Sequence, residues 1–462
     1  MHWVLAITNS CNALKYVTRF PCDIFGFFVA FIYLQKGIQV LTAQWEAGET
    51  SAYLSIMVAL LVLVTAYLCG VAGTSPLFER HVRIFIKDYG TPLAIVFFTG
   101  FVHIGKMATV ETQKLPTTKS FFPTQDRGWL VHFWDMSVGD VFLAIPFAIL
   151  LTILFWFDHN VSSLIAQGTE FPLRKPAGFH WDIFLLGLTT GIAGLLGLPF
   201  PNGLIPQAPF HTESLCVTEQ AMSPKTSKPT TRTTHVVEQR VSNLAQGLLT
   251  LGAMTGPLLV VLHLIPHAVL AGLFFVMGVQ ALEANGITRK IIFLARDATL
   301  TTDAEYPLKR VPRRLAIWVF VGLELLAFGA NFAITQTIAA IGFPVLILVL
   351  IPARTHLLPK WFTPEELAAL DEPTASPFTM ESVGGNYGQE DDAAAGAALR
   401  SVMSPSSAPD GSGEEDSEES AVERGEGKGL HGEEEREEPI EMERMGMTQR
   451  SLSRRSRRAE GQ

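Results

Sequence analysis

A run of prolines after residue 198 is the stretch of this chain whose residue types best suit ligand binding. Four prolines fall within eleven positions directly after an apolar segment: Pro199, Pro201, Pro206 and Pro209. Proline removes a backbone donor and breaks the interior of a helix. The apolar helix is therefore predicted to end here, and a second, short helix is predicted to begin near Ile205, because proline suits a first helical turn.

The restarted helix is predicted to hold an anion. Broken backbone is tolerated at membrane depth only where protein or a cavity surrounds it. The free N–H groups and the positive dipole end of such a helix attract negative charge. We therefore interpret Ile205, Gln207 and Ala208 as candidate substrate ligands, through the backbone amides around them and the Gln207 side chain. The alternative is an ordinary turn outside the membrane.

Asp158 is the second candidate ligand. It follows the uncharged run 141–157 and precedes the mostly apolar run 161–166. Carboxylates inside a membrane are costly and are functional by default. If the helix covers 140–166, Asp158 lies about 7 Å from its centre, so a solvated position near the helix end is the alternative. For Glu324, pairing with a polar group of a neighbouring helix explains the sequence equally well.

The elements that must position these residues are membrane helices. Only 17% of the 462 residues are charged and 48% are hydrophobic, whereas a soluble chain carries about 25% charged residues. A spanning helix needs about 20 mostly apolar residues. Ten apolar stretches approach or meet this length: 1–14, 24–41, 52–72, 93–105, 141–157, 183–200, 248–262, 268–282, 315–332 and 334–351. The composition predicts an all-α polytopic membrane protein embedded in the lipid bilayer, and it excludes a single soluble domain or a nucleic-acid binder.

Charge divides the chain into two parts. Residues 371–462 hold 22 of the 44 acidic and 10 of the 35 basic side chains. We predict a transmembrane domain over 1–360 and a disordered acidic tail over 361–462. Lys and Arg collect in alternate loops, which places those loops and the tail in the cytosol. The arginines of 450–458 fit either a solvated end or a patch that meets anionic lipid until it is phosphorylated.

Cysteine and histidine give no sign of a metal or cofactor. The four cysteines include no CxxC pair, and the 12 histidines show no tight ligand spacing. A disulfide framework and a metal centre are therefore not expected, and no cofactor is predicted.

The proline-rich stretch also carries a resemblance. Residues 197–215, GLPFPNGLIPQAPFHTESL, resemble the broken helix of the bicarbonate transporter (band 3-like anion exchanger) family, in its fungal and plant borate-exporter branch. The remaining similar segments are LKYVTRFPCDIFGFFVAFIYLQKGIQVL (14–41), GFHWDIFLLGL (178–188), VVEQRVSNL (236–244), IPHAVLAGLFFVMGV (265–279) and IGFPVLILVLIPARTHLLP (341–359). The similarity runs in order over about residues 1–360.

This resemblance implies a fold and a function. The family has two inverted seven-segment repeats arranged as a core and a gate domain, with substrate between two half-helices, the third and the tenth segments. Residues 205–220 would form the tenth. Asp158 matches the family's acidic position on the eighth segment, and Gln207 stands where chloride–bicarbonate exchangers place an arginine. A neutral amide suits borate, so the expected function is borate efflux by alternating access, in a plasma-membrane homodimer formed through the gate domain.

The start of the chain departs from the family pattern. By the same resemblance Met1 lies in the fourth segment, so the first three segments, including the other half-helix, are expected to be missing. Transport by this chain is then in question. The alternatives are a bicarbonate or chloride exchanger and a truncated, non-transporting membrane protein.

Overall fold

A computed structural model describes residues 1–123, 125–203, 205, 207–222, 229–297, 307–375, 379–380 and 383. Most of these residues lie in α-helices. In chain order the helices are α1 (His2–Ile7), α2 (Arg19–Ala43), α3 (Glu49–Thr74), α4 (Arg80–Phe101), α5 (Val138–Ala166), α6 (Phe179–Leu196), α7 (Gln207–Ser214), α8 (Arg240–Ala253), α9 (Gly256–His263), α10 (His267–Ala284), α11 (Gly286–Ala295), α12 (Arg314–Thr335), α13 (Phe343–His356), α14 (Leu358–Trp361) and α15 (Pro364–Leu370).

Eight helices of the described residues are long and apolar enough to cross a membrane, or nine if α8 and α9 count as one bent span. The predicted all-helical membrane class is confirmed, with fewer spans than the ten apolar stretches. Residues 1–14 form only the short α1 and a 3-10 turn. The stretch 248–262 is not one helix, because α8 and α9 meet at 85°. Pro257 in the first turn of α9 explains the bend, since proline cannot continue a preceding helix.

The helices pack in two groups. In the first group α10 packs on α2 and α3, α3 packs on α4, and α12 packs on α2. In the second group α6 packs on α1 and α5, and α7 packs on α5. Helix α13 contacts both α2 and α5. The aromatic rings of Phe25 on α2 and Phe157 on α5, with centroids 5.4 Å apart, also join the groups.

A two-stranded antiparallel hairpin follows α7. In this hairpin β1 (Cys216–Met222) pairs with β2 (Pro229–Val236). The register starts with Cys216 opposite Val236 and shifts between Val217 and Thr218. The predicted helix over 205–220 is therefore wrong beyond Ser214. The consecutive β-branched residues Val217 and Thr218 explain why the chain forms a strand here, because β-branched side chains favour a strand over a helix.

The packed region continues past residue 360, where the sequence placed the start of the tail. Residues 361–375, the C-terminal strap, cross one end of the bundle. Asp371 accepts hydrogen bonds from the Phe20 N–H at the start of α2 (2.8 Å) and from Arg354 Nε (2.6 Å). In α15, Glu366 forms a capping box with Thr363 and accepts two bonds from Arg313. The rest of the predicted tail, beyond residue 383, lies outside the described residues.

The Glu366–Arg313 pair predicts how stability depends on pH. Hydrogen bonds from Arg313 hold the pKa of the Glu366 carboxyl at about 2, below the roughly 4.3 of an unfolded chain. Its contribution to stability is fully present above pH of about 4.3 and is lost as the pH falls through about 2. Glu366→Gln should therefore lower the thermal unfolding temperature of the detergent-solubilised protein at pH 7, and the difference from wild type should shrink in acid.

The matched control is Glu365→Gln, because Glu365 is exposed in the same helical turn. An equal loss of stability from both substitutions, or a difference that does not change with pH, would contradict this account.

Candidate functional site

The predicted break lies between α6 and α7. Helix α6 ends at Leu196, and Gly197 follows in the left-handed conformation with φ of +61°. This conformation favours glycine because it has no Cβ. The Leu198 N–H then bonds back to the Ala193 carbonyl at 2.8 Å, and α7 begins at Gln207. The prolines thus end one helix and precede another, as the sequence predicted.

Asp158 lies against this break. Its carboxylate oxygen Oδ2 accepts a hydrogen bond from the Asn202 side-chain amide. Next to Asn202, the backbone of Gly203 runs so close to α5 that an added Cβ would lie 3.1 Å from Ser162 Cβ and 3.4 Å from His159 Cα. A larger residue at 203 would move the break away from α5. The close approach therefore sets the position of Asn202 against Asp158.

Gln207 faces the other group of helices. Its amide nitrogen Nε2 lies 3.4 Å from Tyr33 Oη on α2 and 3.3 Å from Met277 Sδ on α10. In the described part of the chain, no hydrogen bond joins Gln207 to Asp158. The first turn of α7 therefore bridges the two groups of helices, while Asp158 stays with the break and α5.

Two cavities flank the broken segment. A cleft of about 1080 Å³ is lined by Asn202 and Ala208, and a cavity of about 340 Å³ is lined by Ile205 and Asp23. Ile205 is itself buried. The four predicted ligands thus occupy one region of the fold, although Asp158 and Gln207 lie on different sides of it.

Two amide oxygens of the site have no partner. Asn202 Oδ1 and Gln207 Oε1 are buried from solvent and accept no hydrogen bond from the residues that the structure describes. Eleven other buried side-chain atoms of the described residues also have no partner, so these two oxygens are distinguished by their place at the helix break. Because a carbonyl oxygen only accepts hydrogen bonds, the complementary ligand is one that donates them, such as a hydroxyl group.

Asn202 was not predicted from the sequence. In a Pro-Asn-Gly context, asparagine is typical of a turn, so its residue type did not distinguish it. The feature of the sequence that could have identified Asn202 is its place among the prolines that follow an apolar segment. Over the described residues, no cluster of three or more His, Cys, Asp or Glu side chains could hold a metal ion.

The fold and the site define a class of protein. The described helices include eight long enough to span a membrane, and the break between α6 and α7 carries polar groups beside two cavities. This combination is typical of secondary transporters. The family model described as "HCO3- transporter integral membrane domain" matches residues 41–375. The chain belongs to this family of membrane transporters, which are not enzymes.

Individual relatives agree with the family assignment. The chain is 54% identical over 376 residues to a putative transporter of Schizosaccharomyces pombe, covering 80% of this chain and 72% of the relative. It is 46% identical over 393 residues to Boron transporter 1 of Saccharomyces cerevisiae, covering 83% and 66%. It is 30% identical over 363 residues to Anion exchange protein 2 of Pongo abelii, covering 76% and 28%.

These matches confirm the resemblance to bicarbonate transporters and to their fungal borate-transporter branch. The chain spans about two thirds of the length of Boron transporter 1. The inverted repeat and the absence of upstream segments stay predictions.

The contact between Asp158 and Asn202 predicts an energetic coupling. A hydrogen bond to a charged group contributes about 1.5–3 kcal/mol when it is buried. This pair is partly buried, so a double-mutant cycle of Asp158→Ala and Asn202→Ala should give a coupling free energy of about 1 kcal/mol. The measurement is denaturant unfolding of the detergent-solubilised protein. Additive effects of the two substitutions would show that the two side chains do not interact.

Proposed function

We propose that this protein transports borate across a membrane, in the direction of efflux, by alternating access. The observation that carries the proposal is the pair of unpartnered amide oxygens, on Asn202 and Gln207. Borate and boric acid present several hydroxyl groups, each of which donates a hydrogen bond. Chloride has no donor, and bicarbonate has one. A substrate with several hydroxyl groups is therefore the kind that can donate to either oxygen.

The charge of the site supports the same substrate. The described contacts of Gln207 are Tyr33 and Met277, and neither of them carries a charge. A fixed cation favours a permanent anion, whereas backbone N–H groups at a helix start favour partial negative charge more weakly. Of the first residues of α7, Gln207 and Ala208 have an N–H to offer, while Pro209 has none. We assign these amides, with the backbone near Ile205, as ligands of a weakly acidic substrate.

Asp158 has a different role in this proposal. A carboxylate next to the path of an anion repels it when ionised and not when protonated. Asp158 accepts a hydrogen bond from the amide nitrogen of Asn202. In this proposal the Asn202 oxygen Oδ1 contacts the substrate, so the charge of Asp158 affects a substrate ligand. We propose that Asp158 is the proton- or cation-sensitive group of the transport site.

Alternating access needs two groups of helices that move relative to each other, and contacts between them that can break and form again. The packing of the helices supplies two such groups. Gln207 meets Tyr33 between them, and Glu213 at the end of α7 pairs with Lys87 on α4 at 2.9 Å, where both side chains are about half exposed. These two polar contacts would break at low cost, whereas the Phe25–Phe157 contact and α13 join the same groups through apolar packing. We further propose a homodimer in the plasma membrane with its C-terminus in the cytosol.

The second candidate is bicarbonate or chloride exchange. The match to the bicarbonate transporter domain and the 30% identity to an anion exchange protein favour it. Against it stands Gln207 at the position where the resemblance places an arginine in chloride–bicarbonate exchangers.

Substitution of Gln207 separates the two candidates. Gln207→Arg should lower borate flux and raise chloride flux of the purified chain in proteoliposomes, because a fixed cation in a low-dielectric site stabilises a permanent anion. Gln207→Leu should raise the half-saturating borate concentration about fivefold, the equivalent of one hydrogen bond of about 1 kcal/mol, without raising chloride flux.

The matched control is Gln336→Arg, which adds the same charge at an exposed position at the end of α12. If neither flux responds to Gln207→Arg, Gln207 does not contact the substrate. If the wild-type chain shows no borate flux in proteoliposomes, the proposed function is wrong.

Substitution of Asp158 tests the titrating group. Asp158→Asn should abolish borate flux or remove its dependence on pH, because the amide keeps the shape of the side chain but cannot change charge. The readout is initial flux in proteoliposomes over a range of pH at constant borate. Asp140→Asn makes the same change in the exposed first turn of α5 and should leave the profile as it was. An unchanged profile for Asp158→Asn would reduce Asp158 to a structural residue.

A further inference from the structure

The C-terminal strap ends at a cavity that lies between the two groups of helices. The cavity of about 340 Å³ is lined by Cys22 on α2, by Ile165 on α5, by Ile205 at the helix break and by Thr374 of the strap. Helix α2 belongs to the first group of helices and α5 to the second. The cavity is therefore bounded by both groups, by a proposed substrate ligand and by the strap.

The first part of the strap is fixed to α2. Phe362 and Leu370 are buried in one apolar cluster with Phe20 at the start of this helix. Asp371, whose side chain is 0% exposed, accepts hydrogen bonds from the Phe20 N–H and from Arg354 Nε on α13. Buried apolar packing and a charged pair together anchor this part of the strap.

The last residues of the strap reach the second group of helices. Ala375 pairs with Gly168 as an isolated antiparallel β-bridge. Gly168 follows α5, and its N–H bonds back to the Ile165 carbonyl at 3.2 Å, so it is held to the end of that helix. Between the anchor and the bridge, Thr374 Oγ1 donates a hydrogen bond to Cys22 Sγ at 3.7 Å. The strap thus crosses from α2 to the end of α5 along one side of the cavity.

The crossing contact is made by neutral groups. Ala375, with Met380 and Val383 after it, is buried in the apolar cluster that includes Leu164 on α5. Among the described residues, no ion pair joins the strap to the second group of helices. Parting a buried ion pair leaves a charge without a partner, which is strongly unfavourable, whereas neutral groups that part beside a cavity can be hydrated there. The crossing contact therefore separates before the anchor does.

We propose that Thr374 and Ala375 form a latch, which holds the two groups of helices together over this cavity and must part from Gly168 in each transport cycle. The latch rests on the proposed function, because alternating access moves one group of helices against the other. A strap that is anchored on α2 cannot keep its bridge to Gly168 while the two groups move apart. The closed latch covers the cavity beside Ile205, and the open latch gives access to the helix break from that side.

A disulfide tests whether the latch must open. Partners in an antiparallel pair have Cα atoms about 4.5–5.5 Å apart, which suits a disulfide, so Gly168→Cys and Ala375→Cys are combined in a chain that also carries Cys22→Ser. Oxidation of the purified protein should lower borate flux in proteoliposomes about tenfold or more, because a required opening is blocked, and reduction should restore the flux.

The matched control is Thr374→Cys alone, which can form a disulfide with the natural Cys22. This link joins the same strap to α2, within one group of helices, and oxidation should leave borate flux unchanged. If the disulfide between positions 168 and 375 leaves flux unchanged, or if both disulfides block flux equally, the latch is wrong.

A second measurement does not depend on transport. Cys22 is 2% exposed and contacts Thr374, so N-ethylmaleimide should label it slowly in the wild-type protein. Ala375→Trp should speed this labelling about fivefold, because an indole does not fit at a position that is 1% exposed and opposite Gly168, and it lifts the latch. Pro373→Trp makes a similar change at an exposed position of the strap and should leave the labelling rate unchanged.

Cys11 provides the check on unfolding, because it is buried beside Asn160 on α5. Unchanged labelling of Cys22 in Ala375→Trp would overturn the latch, and so would an equal rise in the labelling of Cys11. A chain that shows no borate flux can still show the difference in labelling, so the latch and the proposed function fail separately.

Discussion

The proline break between α6 and α7 is the constraint on which the rest of the site depends. Its backbone groups are left without helical partners, so they must be enclosed by protein or face a cavity. Helix α5 meets this need on one side, where Gly203 allows contact and Asn202 reaches Asp158. Helices α2 and α10 meet it on the other side, through Tyr33 and Met277. Both helix groups thus contact the few residues at the break between α6 and α7.

Polar groups inside the bundle follow two different arrangements. Away from the break, charged groups are held by charged partners, as Lys290 is by Glu324 and Asp371 is by Arg354. Neutral amides keep an oxygen without a partner both at the break, in Asn202 and Gln207, and away from it, in Gln44 and Asn331. At the break Asn202 also lines a cleft, where a hydroxyl-bearing molecule could donate to its oxygen.

Much of this arrangement could be predicted from local sequence. Apolar length identified the spans, and proline chemistry identified the break, because both depend on residues close together in the chain. Contacts between distant segments left no such signal: the partner of Asp158, the pairing of Glu324 with Lys290, and the packing of residues 361–375 all required the folded structure. The helix predicted through residue 220 failed because Cys216–Met222 pairs with Pro229–Val236 as a hairpin instead.

The strap also has a consequence for synthesis of the protein. The first turn of α2 bonds to a carboxylate, that of Asp371, which stands 351 residues after Phe20. At about 5–20 residues per second, that carboxylate emerges about 20 to 70 seconds after the helix it completes. Until then the start of α2 has an open N–H group at one end of the bundle. Helix α2 is therefore synthesised well before the residue that completes its first turn.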